Sequence, residues 1–366
     1  MIIKLGFTKE KIMKSDKELR FGVVGVGSMG TYRVKTMLKP EFNVKIVAVS
    51  DINPARLDKI ESILGTKDFK HYTGPNDYKK MIDNDNLDAV CIFTPHDCHL
   101  PMAKYAAQKG VNILIEKPMV CGAANAMEVT KLVEEKKLKA IIHYQRHFEL
   151  KWMKARELIQ KGDIGEVKNF FVYMAQDWNG KEWRGIPEKC LGGQINDSGS
   201  HYQDIILWML NELPISAQGH IDYFYRDREL KVEANGSFHV ELTNGITGRF
   251  VILSDIPGGF VDDVRICGTK ANLYFNGNKL IKHDLAKDEY IEIPMSRPKN
   301  YPDCPIDNFV KLLRGKVREN RVPFIFGCRV ALLTDAMLRS GHKNGKKIIC
   351  EDLLKEKGYS LDDLRD

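Results

Sequence analysis

The chain has 366 residues, a length that predicts about two domains. Hydrophobic residues make up 43% of the chain and charged residues 29%, a globular composition that excludes wholesale disorder. Lysine and arginine exceed aspartate and glutamate by 56 to 49, a net charge of +7. The basic residues are scattered along the chain, so this excess gives little support to nucleic-acid binding.

Apolar runs and cysteines restrict the class of protein further. No apolar run approaches the roughly 18 to 20 residues that a membrane span needs. The first residues, MIIKLGFTKEKIMK, carry lysines where a secretion signal requires an apolar stretch, so we expect a cytoplasmic protein without membrane contact. The eight cysteines form no C-x-x-C pair and no zinc-type Cys/His spacing, which predicts reduced thiols and no metal site.

The first part of the chain alternates between apolar runs and amphipathic stretches. Residues 1–19 are rich in lysine without clear periodicity, which predicts an N-terminal arm. Strands are then expected over 21–27, 44–49, 87–93, 111–116 and 139–144, with helices over 29–38, 53–64, 99–110 and 123–138 between them. This alternation predicts a doubly wound parallel sheet of five or six strands.

After about Tyr144 the rhythm changes. Helices are expected over 150–161 and 197–210, with a long strand over 166–178 between them. Beyond Pro214 strand-like segments predominate, and the pairs Asn244-Gly245 and Asn276-Gly277 predict hairpin turns. A last helix over 327–340 is expected to pack back on the first domain. The second half therefore predicts an α+β domain with an open, mostly antiparallel sheet.

A glycine-rich turn follows the first predicted strand and opens the first predicted helix. Gly25 permits the tight turn, Gly27 lets the backbone approach a pyrophosphate, and Gly30 lets helix and strand pack closely. Asp51 ends the second predicted strand, where a carboxylate can accept hydrogen bonds from the adenosine ribose. The predicted dinucleotide site comprises Gly25, Gly27, Ser28, Met29, Gly30 and Asp51. A carboxylate there favours NAD over NADP, although the nearby Ser50 and Arg56 leave dual use open.

Two further motifs carry groups suited to catalysis. Glu116-Lys117-Pro118 ends the strand over 111–116, at the carboxyl edge of the sheet, so Lys117 is expected to point into the ligand crevice. Asp197, His201 and Asp204 are spaced to share one face of a continuous helix. Two carboxylates around an imidazole favour ligand binding or proton transfer, the alternative being a core histidine beside a capping aspartate.

In combination, these residues resemble the Gfo/Idh/MocA oxidoreductases, which include glucose-fructose oxidoreductase and inositol dehydrogenases. The shared features are GVGSMG, Asp51, Thr94-Pro95, EKP at 116–118 and D-x-G-x-H at 197–201, in order, within roughly residues 20–345. The resemblance implies an NAD-binding Rossmann domain at 20–142 after the arm at 1–19. It further implies a substrate-binding and oligomerisation domain at 143–366, whose sheet would join the subunits of a homo-oligomer.

The resemblance also implies a chemistry, reversible hydride transfer between a sugar or cyclitol hydroxyl and nicotinamide. His201 would be the general base, Lys117 would orient the hydroxyl oxygen, and Asp197 would adjust their proton affinity. Lys117 as the base is the alternative. Thr94, Pro95, His99, Glu116 and Lys117 would complete the cofactor site, and Gln176 and Asp204 would contact the substrate.

The loop Asp177–Arg184 narrows the expected substrate. It places Trp178 and Trp183 among polar residues, and sugar rings stack on indole faces, although both could instead anchor a loop or a subunit contact. Arg146 at the domain junction would orient the substrate or bridge the domains. We therefore expect a sugar or glycoside dehydrogenase, with the ring C3 hydroxyl as a candidate position. The alternatives are an inositol dehydrogenase, a redox-neutral enzyme that retains and recycles NAD, and a non-catalytic sugar sensor.

Overall fold

The computed structural model describes residues 17–256 and 259–365, so most of the predicted N-terminal arm, residues 1–16, lies outside the described residues. The first strand begins at Leu19 rather than at Phe21. The first part of the chain contains β1 (Leu19–Val24), α1 (Ser28–Met37), β2 (Val44–Ser50), α2 (Pro54–Leu64), β3 (Lys70–Tyr72), α3 (Asp77–Asn84), β4 (Ala89–Ile92), α4 (His99–Gln108), β5 (Asn112–Ile115), α5 (Ala123–Glu135) and β6 (Ala140–Ile142).

These six strands form one parallel sheet in the order β3-β2-β1-β4-β5-β6, which confirms the predicted doubly wound sheet. The chain builds outward from β1 to β3 and then returns to β4 on the other side of β1. This reversal opens a crevice at the carboxyl ends of β1 and β4, where ligands bind in such sheets. β3 is not among the predicted strands, because its three residues, Lys70–Tyr72, are polar or aromatic and lie largely exposed at the sheet edge.

The rest of the chain folds around a larger second sheet. Its elements are α6 (Leu150–Gln160), β7 (Val167–Gln176), α7 (Pro187–Cys190), α8 (Gly193–Asp197), α9 (Ser200–Leu210), β8 (Pro214–Asp222), β9 (Phe224–Tyr225), β10 (Arg228–Glu229), β11 (Asn235–Leu242), β12 (Thr247–Leu253), β13 (Phe260–Gly268), β14 (Ala271–Asn276), β15 (Lys279–Asp284), β16 (Glu289–Glu292), α10 (Pro305–Leu313), α11 (Phe324–His342), β17 (Ile348–Ile349) and α12 (Cys350–Lys355).

The second sheet has nine strands in the order β16-β15-β14-β13-β7-β12-β11-β8-β17. Its neighbours are antiparallel except for β7 and β12, so the predicted mostly antiparallel sheet is confirmed. Both Asn-Gly hairpins are also confirmed, since Asn244-Gly245 joins β11 to β12 and Asn276-Gly277 joins β14 to β15.

Two helices of the second half pack on the first sheet. α11 contacts α5 and β6 as well as β8 and α9, which confirms the predicted return of the last long helix. α10 packs against β6, and its Phe309 ring lies 5.9 Å from that of Phe21 in β1. The backbone N–H of Ile142 donates to the carbonyl of Val322. One continuous apolar core therefore joins both sheets and fixes their relative position.

The helix predicted over 197–210 is wrong in one respect, because it is broken. α8 ends at Asp197 and α9 begins at Ser200, with Ser198 and Gly199 between them. Serine and glycine favour a helix weakly, and the Asp197 carbonyl accepts hydrogen bonds from side chains, Lys117 Nζ at 2.7 Å and Ser200 Oγ at 3.1 Å. The dihedral angles of Ser198 and Gly199 stay in the right-handed helical region, so the interruption is one of hydrogen bonding.

Within the described residues no helix combines the length and the apolar character that crossing a membrane requires.

Candidate active site

The glycine-rich turn leaves no room for side chains where β1 meets α1. Gly25 has a φ of +84°, and a Cβ there would lie 2.6 Å from the Phe93 carbonyl oxygen. A Cβ on Gly30 would lie 2.1 Å from the Gly25 oxygen. At Gly27, directly before α1, an added Cβ would meet nothing closer than Arg56 Nη1 at 3.7 Å. The N-terminus of α1, with Ser28 and the exposed Met29, is therefore tightly packed on the side of Gly25 and Gly30 and open on the side of Gly27. A pyrophosphate site requires such an open helix N-terminus.

Asp51 lies buried at the end of β2 and closes this turn. Its Oδ2 accepts a hydrogen bond from Val26 N at 2.8 Å, and its Oδ1 accepts one from Asn53 N at 2.9 Å. The half-exposed guanidinium of Arg56 lies 3.6 Å from Oδ2. A carboxylate that suits ribose hydroxyls thus stands beside a cation that suits a 2′-phosphate.

His99 ties together the loops that follow β4 and β5. It is buried, with Nδ1 at 2.8 Å from the Pro118 carbonyl oxygen and Nε2 at 3.1 Å from that of Thr94. Burial lowers the pKa of His99, so the ring is neutral near pH 7. The structure therefore places His99 behind the cofactor crevice, where it positions Thr94, Pro95 and the Glu116-Lys117-Pro118 segment.

Glu116 connects these loops to α1. It is buried and accepts hydrogen bonds from Arg33 Nε at 2.6 Å and from Lys117 N at 3.2 Å, while His143 Nδ1 lies 4.0 Å away. Burial alone would raise the pKa of Glu116, but His143, Arg33 and Lys117 together hold it below its ordinary value. Arg33 and His143 are not among the predicted site residues, because nothing in their local sequence marks a partner so far along the chain.

Asp197 is the centre of the site. Its Oδ1 lies 2.8 Å from Lys117 Nζ, and its Oδ2 accepts hydrogen bonds from Arg184 Nε at 2.7 Å and Trp178 Nε1 at 3.0 Å. Burial would raise the pKa of Asp197, but the positive charges of Lys117 and Arg184 hold it well below its ordinary value. Asp197 therefore remains an anion that positions two cations, and it cannot serve as a proton donor near neutral pH.

His96 and Arg184 are site residues that sequence reasoning did not identify. His96 Nδ1 lies 2.7 Å from the Cys190 carbonyl oxygen, so Nδ1 carries the ring hydrogen and donates it to that oxygen. The other ring nitrogen, Nε2, lies 3.7 Å from Asp197 Oδ1. Burial lowers the pKa of His96 to about 3. Its position directly after Thr94-Pro95, at the carboxyl end of β4, is a signal that could have identified it.

His201, in the first turn of α9, is half-buried beside Tyr144, with ring centres 6.2 Å apart. Its Nδ1 is shielded from solvent and has no hydrogen-bond partner, so a ligand can reach only Nε2. Burial lowers the pKa of His201 well below its ordinary value, and the charges of Arg146 and Lys117 lower it further against the opposing effect of Asp197. The ring is therefore neutral at pH 7, and Nε2 can accept a proton when Nδ1 carries the hydrogen.

Asp204 does not join this cluster. It is buried, and its two oxygens lie 2.9 and 3.0 Å from His147 Nε2. His147 in turn stacks against Trp208 with ring centres 4.3 Å apart. Asp204 lies in α9 together with His201, but its carboxylate is paired with His147 in the protein interior, so the expected grouping of Asp204 with Asp197 at the site is wrong.

The two tryptophans of the loop after β7 have different surroundings. Trp178 is only 6% exposed, packs with Cys190 and Val232, and supports Asp197, so its rings have no free face for a sugar. Trp183 is half-buried, with its ring centre 4.7 Å from that of His96. The side-chain amide of Gln176 donates to Ser198 Oγ at the helix break. Of the two predicted stacking residues, the structure leaves Trp183 accessible.

A separate cavity of about 700 Å³ lies on the far side of His147, between α6 and the segments 294–301 and 319–326. It is lined by residues that include Met153, Trp208, Tyr301 and Phe326, and by none of Lys117, Asp197 and His201. The candidate active site is therefore the crevice between the two sheets and not this cavity.

Two family models match the chain. The model described as "Oxidoreductase family, NAD-binding Rossmann fold" matches residues 19–144, and the "GFO/IDH/MocA C-terminal domain" matches residues 152–274. The chain therefore belongs to the Gfo/Idh/MocA oxidoreductase family, as its motifs suggested, and its first domain is an NAD-binding Rossmann fold.

Relatives and solved structures agree with this family. The chain is 29% identical to inositol 2-dehydrogenase of Rhizobium meliloti over 202 residues, 54% of this chain and 57% of the relative. It is 23% identical to scyllo-inositol 2-dehydrogenase (NAD(+)) of Bacillus subtilis over 71% of this chain and 74% of the relative. The structure of an inositol dehydrogenase homolog from Azotobacter vinelandii, complexed with NAD+, superposes with a TM-score of 0.79 at 17% identity, covering 91% of this chain and 98% of that chain. The match thus spans little more than half the length of the Rhizobium enzyme.

We expect Gly25→Ala to weaken NADH binding at least tenfold, because its Cβ would overlap the Phe93 carbonyl and displace the turn. Gly65→Ala is the matched control, since Gly65 also has a positive φ, +65°, but nothing lies within 4 Å of an added Cβ. Both variants carry a backbone strain of about 1 kcal/mol, and only Gly25→Ala adds the overlap. Fluorescence titration with NADH measures the dissociation constants, and equal constants for the two variants would contradict this role of Gly25.

Proposed function

We propose that this protein is an NAD-dependent dehydrogenase that oxidises a ring hydroxyl of a sugar, glycoside or cyclitol to a ketone. The observation that carries the proposal is the pairing of an anchored Lys117 ammonium with the neutral His201 ring at the carboxyl edge of the Rossmann sheet. Bound NAD supplies the nicotinamide that accepts the hydride. The groups that move the proton and hold the oxygen belong to this chain.

His201 is proposed to take the hydroxyl proton at Nε2, because that atom is the only ring nitrogen a ligand can reach. Lys117 is proposed to hold the hydroxyl oxygen. Two of its three N–H groups are directed at the Asp197 carbonyl and carboxylate, at 2.7 and 2.8 Å, which leaves one for the substrate. That donor stabilises the negative charge that develops on oxygen as the proton leaves. In the reverse direction His201 returns the proton to the alkoxide.

A cyclitol such as inositol is the second candidate substrate class. The names of two relatives, both inositol 2-dehydrogenases, favour it. The preference for a glycoside was based on stacking of the sugar on the indole rings of Trp178 and Trp183. Because Trp178 is buried, only the Trp183 ring of these two is accessible for stacking. Sugar and cyclitol oxidation use the same proton acceptor and oxygen ligand, so both candidates keep the proposed roles of His201 and Lys117.

We further propose that NAD is preferred over NADP. The Asp51 carboxylate would repel a 2′-phosphate, and the same carboxylate already partly neutralises Arg56, the cation that would attract one. We therefore expect the repulsion to exceed the attraction. A homo-oligomer formed through the nine-stranded sheet and a cytoplasmic location remain predictions.

The test is the appearance of NADH when the purified protein meets one ring substrate at a time. Glucose, methyl glucoside, myo-inositol and scyllo-inositol are supplied with NAD, with NADP, or with neither. NADH that accumulates with added NAD supports the dehydrogenase, and a larger kcat/KM with NAD than with NADP supports the cofactor preference. Reduction without added NAD would instead favour an enzyme that retains and recycles its cofactor. Substrate binding without any reduction would favour a sensor.

A further inference from the structure

Arg146 lies in the helical turn Gln145–Phe148 that follows β6, so it projects from the same sheet edge as Lys117, which follows β5. Its guanidinium carbon lies 4.4 Å from the ring centre of Tyr202, the residue next to His201 in α9. Its charge also acts on His201. Arg146 therefore stands on the His201 side of the crevice, within reach of a substrate whose hydroxyl meets His201.

The Arg146 side chain has no acidic partner. Among the described residues no carboxylate oxygen lies within 4 Å of its nitrogen atoms. Its buried Nη1 has no hydrogen-bond partner, while the guanidinium also interacts with the Tyr202 hydroxyl. The nearby acids have other partners, because Asp262 accepts the Tyr202 hydroxyl at 2.6 Å and Asp204 pairs with His147. Asp204 acts on Arg146 through its charge but forms no ion pair with it, and a half-buried guanidinium without an ion-pair partner is stabilised when a ligand supplies one.

The other cations of the crevice are paired with acids. Arg33 pairs with Glu116 at 2.6 Å, while Lys117 and Arg184 share Asp197. Of the cations that act on His201, Lys117 is paired with Asp197, whereas Arg146 interacts with the charge of Asp204 without forming an ion pair. Among the described residues Arg146 is therefore the cation on this side of the crevice that lacks an ion pair, and it lies beside the expected position of the substrate ring.

We propose that Arg146 binds an anionic group, a carboxylate or a phosphate, carried by the ring substrate. The inference rests on the proposed function and narrows its substrate class to acidic sugars or cyclitols. A guanidinium carries five N–H donors, so donors other than those on the shielded Nη1 remain for a carboxylate or a phosphate, and in a partly dry crevice such charge-assisted bonds are strong and directional. The ring hydroxyl would then reach Lys117 and His201 while the anion fixes the ring from the other side.

The test compares matched neutral and anionic rings. For NAD reduction we expect kcat/KM to be at least tenfold larger for glucuronate than for glucose, or for myo-inositol monophosphate than for myo-inositol. A preference within the glucuronate and glucose pair indicates a carboxylate, and a preference within the inositol pair indicates a phosphate. Arg146→Met is expected to lower the anionic-to-neutral ratio at least tenfold, and Arg146→Lys, which keeps the charge without the paired donors, should lower it less. Lys168→Met, an exposed lysine paired with Glu166, is the control and should leave the ratio unchanged.

A binding experiment separates failure of this inference from failure of the proposed function. Calorimetric titration of the protein–NADH complex with the same four rings does not depend on turnover. Tighter binding of an anionic ring that is lost in Arg146→Met would support the anion site even if no ring were oxidised. Equal binding of neutral and anionic rings, or an unchanged ratio in Arg146→Met and Arg146→Lys, would overturn the inference even in an active dehydrogenase.

Discussion

The replacement His201→Gln is expected to lower kcat by about 10²- to 10⁴-fold, the usual contribution of a positioned general base. Glutamine retains a polar group at this position but cannot accept the hydroxyl proton. Since His201 is assigned to the substrate, the Kd for NADH should remain within about twofold of the wild type, a ratio equivalent to about 0.4 kcal/mol. Steady-state kinetics on the best substrate and NADH titration measure the two quantities.

The pH profile gives an independent check on His201. Because burial, Arg146 and Lys117 lower the pKa of His201 well below its ordinary value of 6.5, the ring is expected to stay neutral and active through pH 6.5. The acid limb of kcat/KM should therefore lie below pH 6.5 in the wild type and disappear in His201→Gln.

His220→Gln changes an exposed histidine in β8 and is the control, with kinetics expected to match the wild type. A His201→Gln protein that retained more than a tenth of wild-type kcat with its acid limb intact would reject His201 as the base. The role would then pass to Lys117.

The second large effect is expected at Asp197. Asp197→Asn should destabilise the protein by about 3 kcal/mol, because it leaves the half-buried Lys117 and Arg184 without their shared counter-charge. It should also lower kcat, since Lys117 would no longer be held toward the substrate. Urea unfolding of the cofactor-free protein measures the first change and steady-state kinetics the second.

The loss of stability should depend on pH in a defined direction. The folded-state pKa of Asp197 lies well below its ordinary value of 3.8, so at low pH the unfolded chain takes up a proton that the folded protein does not. Stability from Asp197 is therefore complete above about pH 5 and decreases as the pH falls through 4. The difference between wild type and Asp197→Asn should narrow over the same interval.

Asp263→Asn is the matched control for Asp197→Asn, because Asp263 pairs with Arg265 and both side chains of this pair are exposed. Exposed ion pairs contribute about 1 kcal/mol or less, so this variant should change unfolding little. If Asp197→Asn were no more destabilising than Asp263→Asn, Asp197 would not hold the two cations together as the geometry indicates.

The sequence by itself determined the Rossmann sheet, the position of the cofactor turn and most of the residues that meet in the crevice. Gly25 and Gly30 are required by backbone geometry at their own positions, and Lys117 follows a buried strand directly. Such signals are local. The carboxyl ends of parallel strands meet at one edge of the sheet, so a residue that directly follows a strand is placed at that edge independently of the rest of the chain. The hairpins at Asn244-Gly245 and Asn276-Gly277 were predictable for the same reason.

Only the tertiary structure decided how the polar side chains are paired. Asp197 binds Lys117, 80 residues away, whereas Asp204 pairs with His147, 57 residues away. The spacing of Asp197, His201 and Asp204 along the chain does not record which of these side chains pairs with a distant segment. Folding also decides the roles of Arg184 and His96, and the absence of an acidic partner for Arg146 among the described residues. These features depend on segments that are distant in the sequence, so the periodicity within one segment cannot predict them.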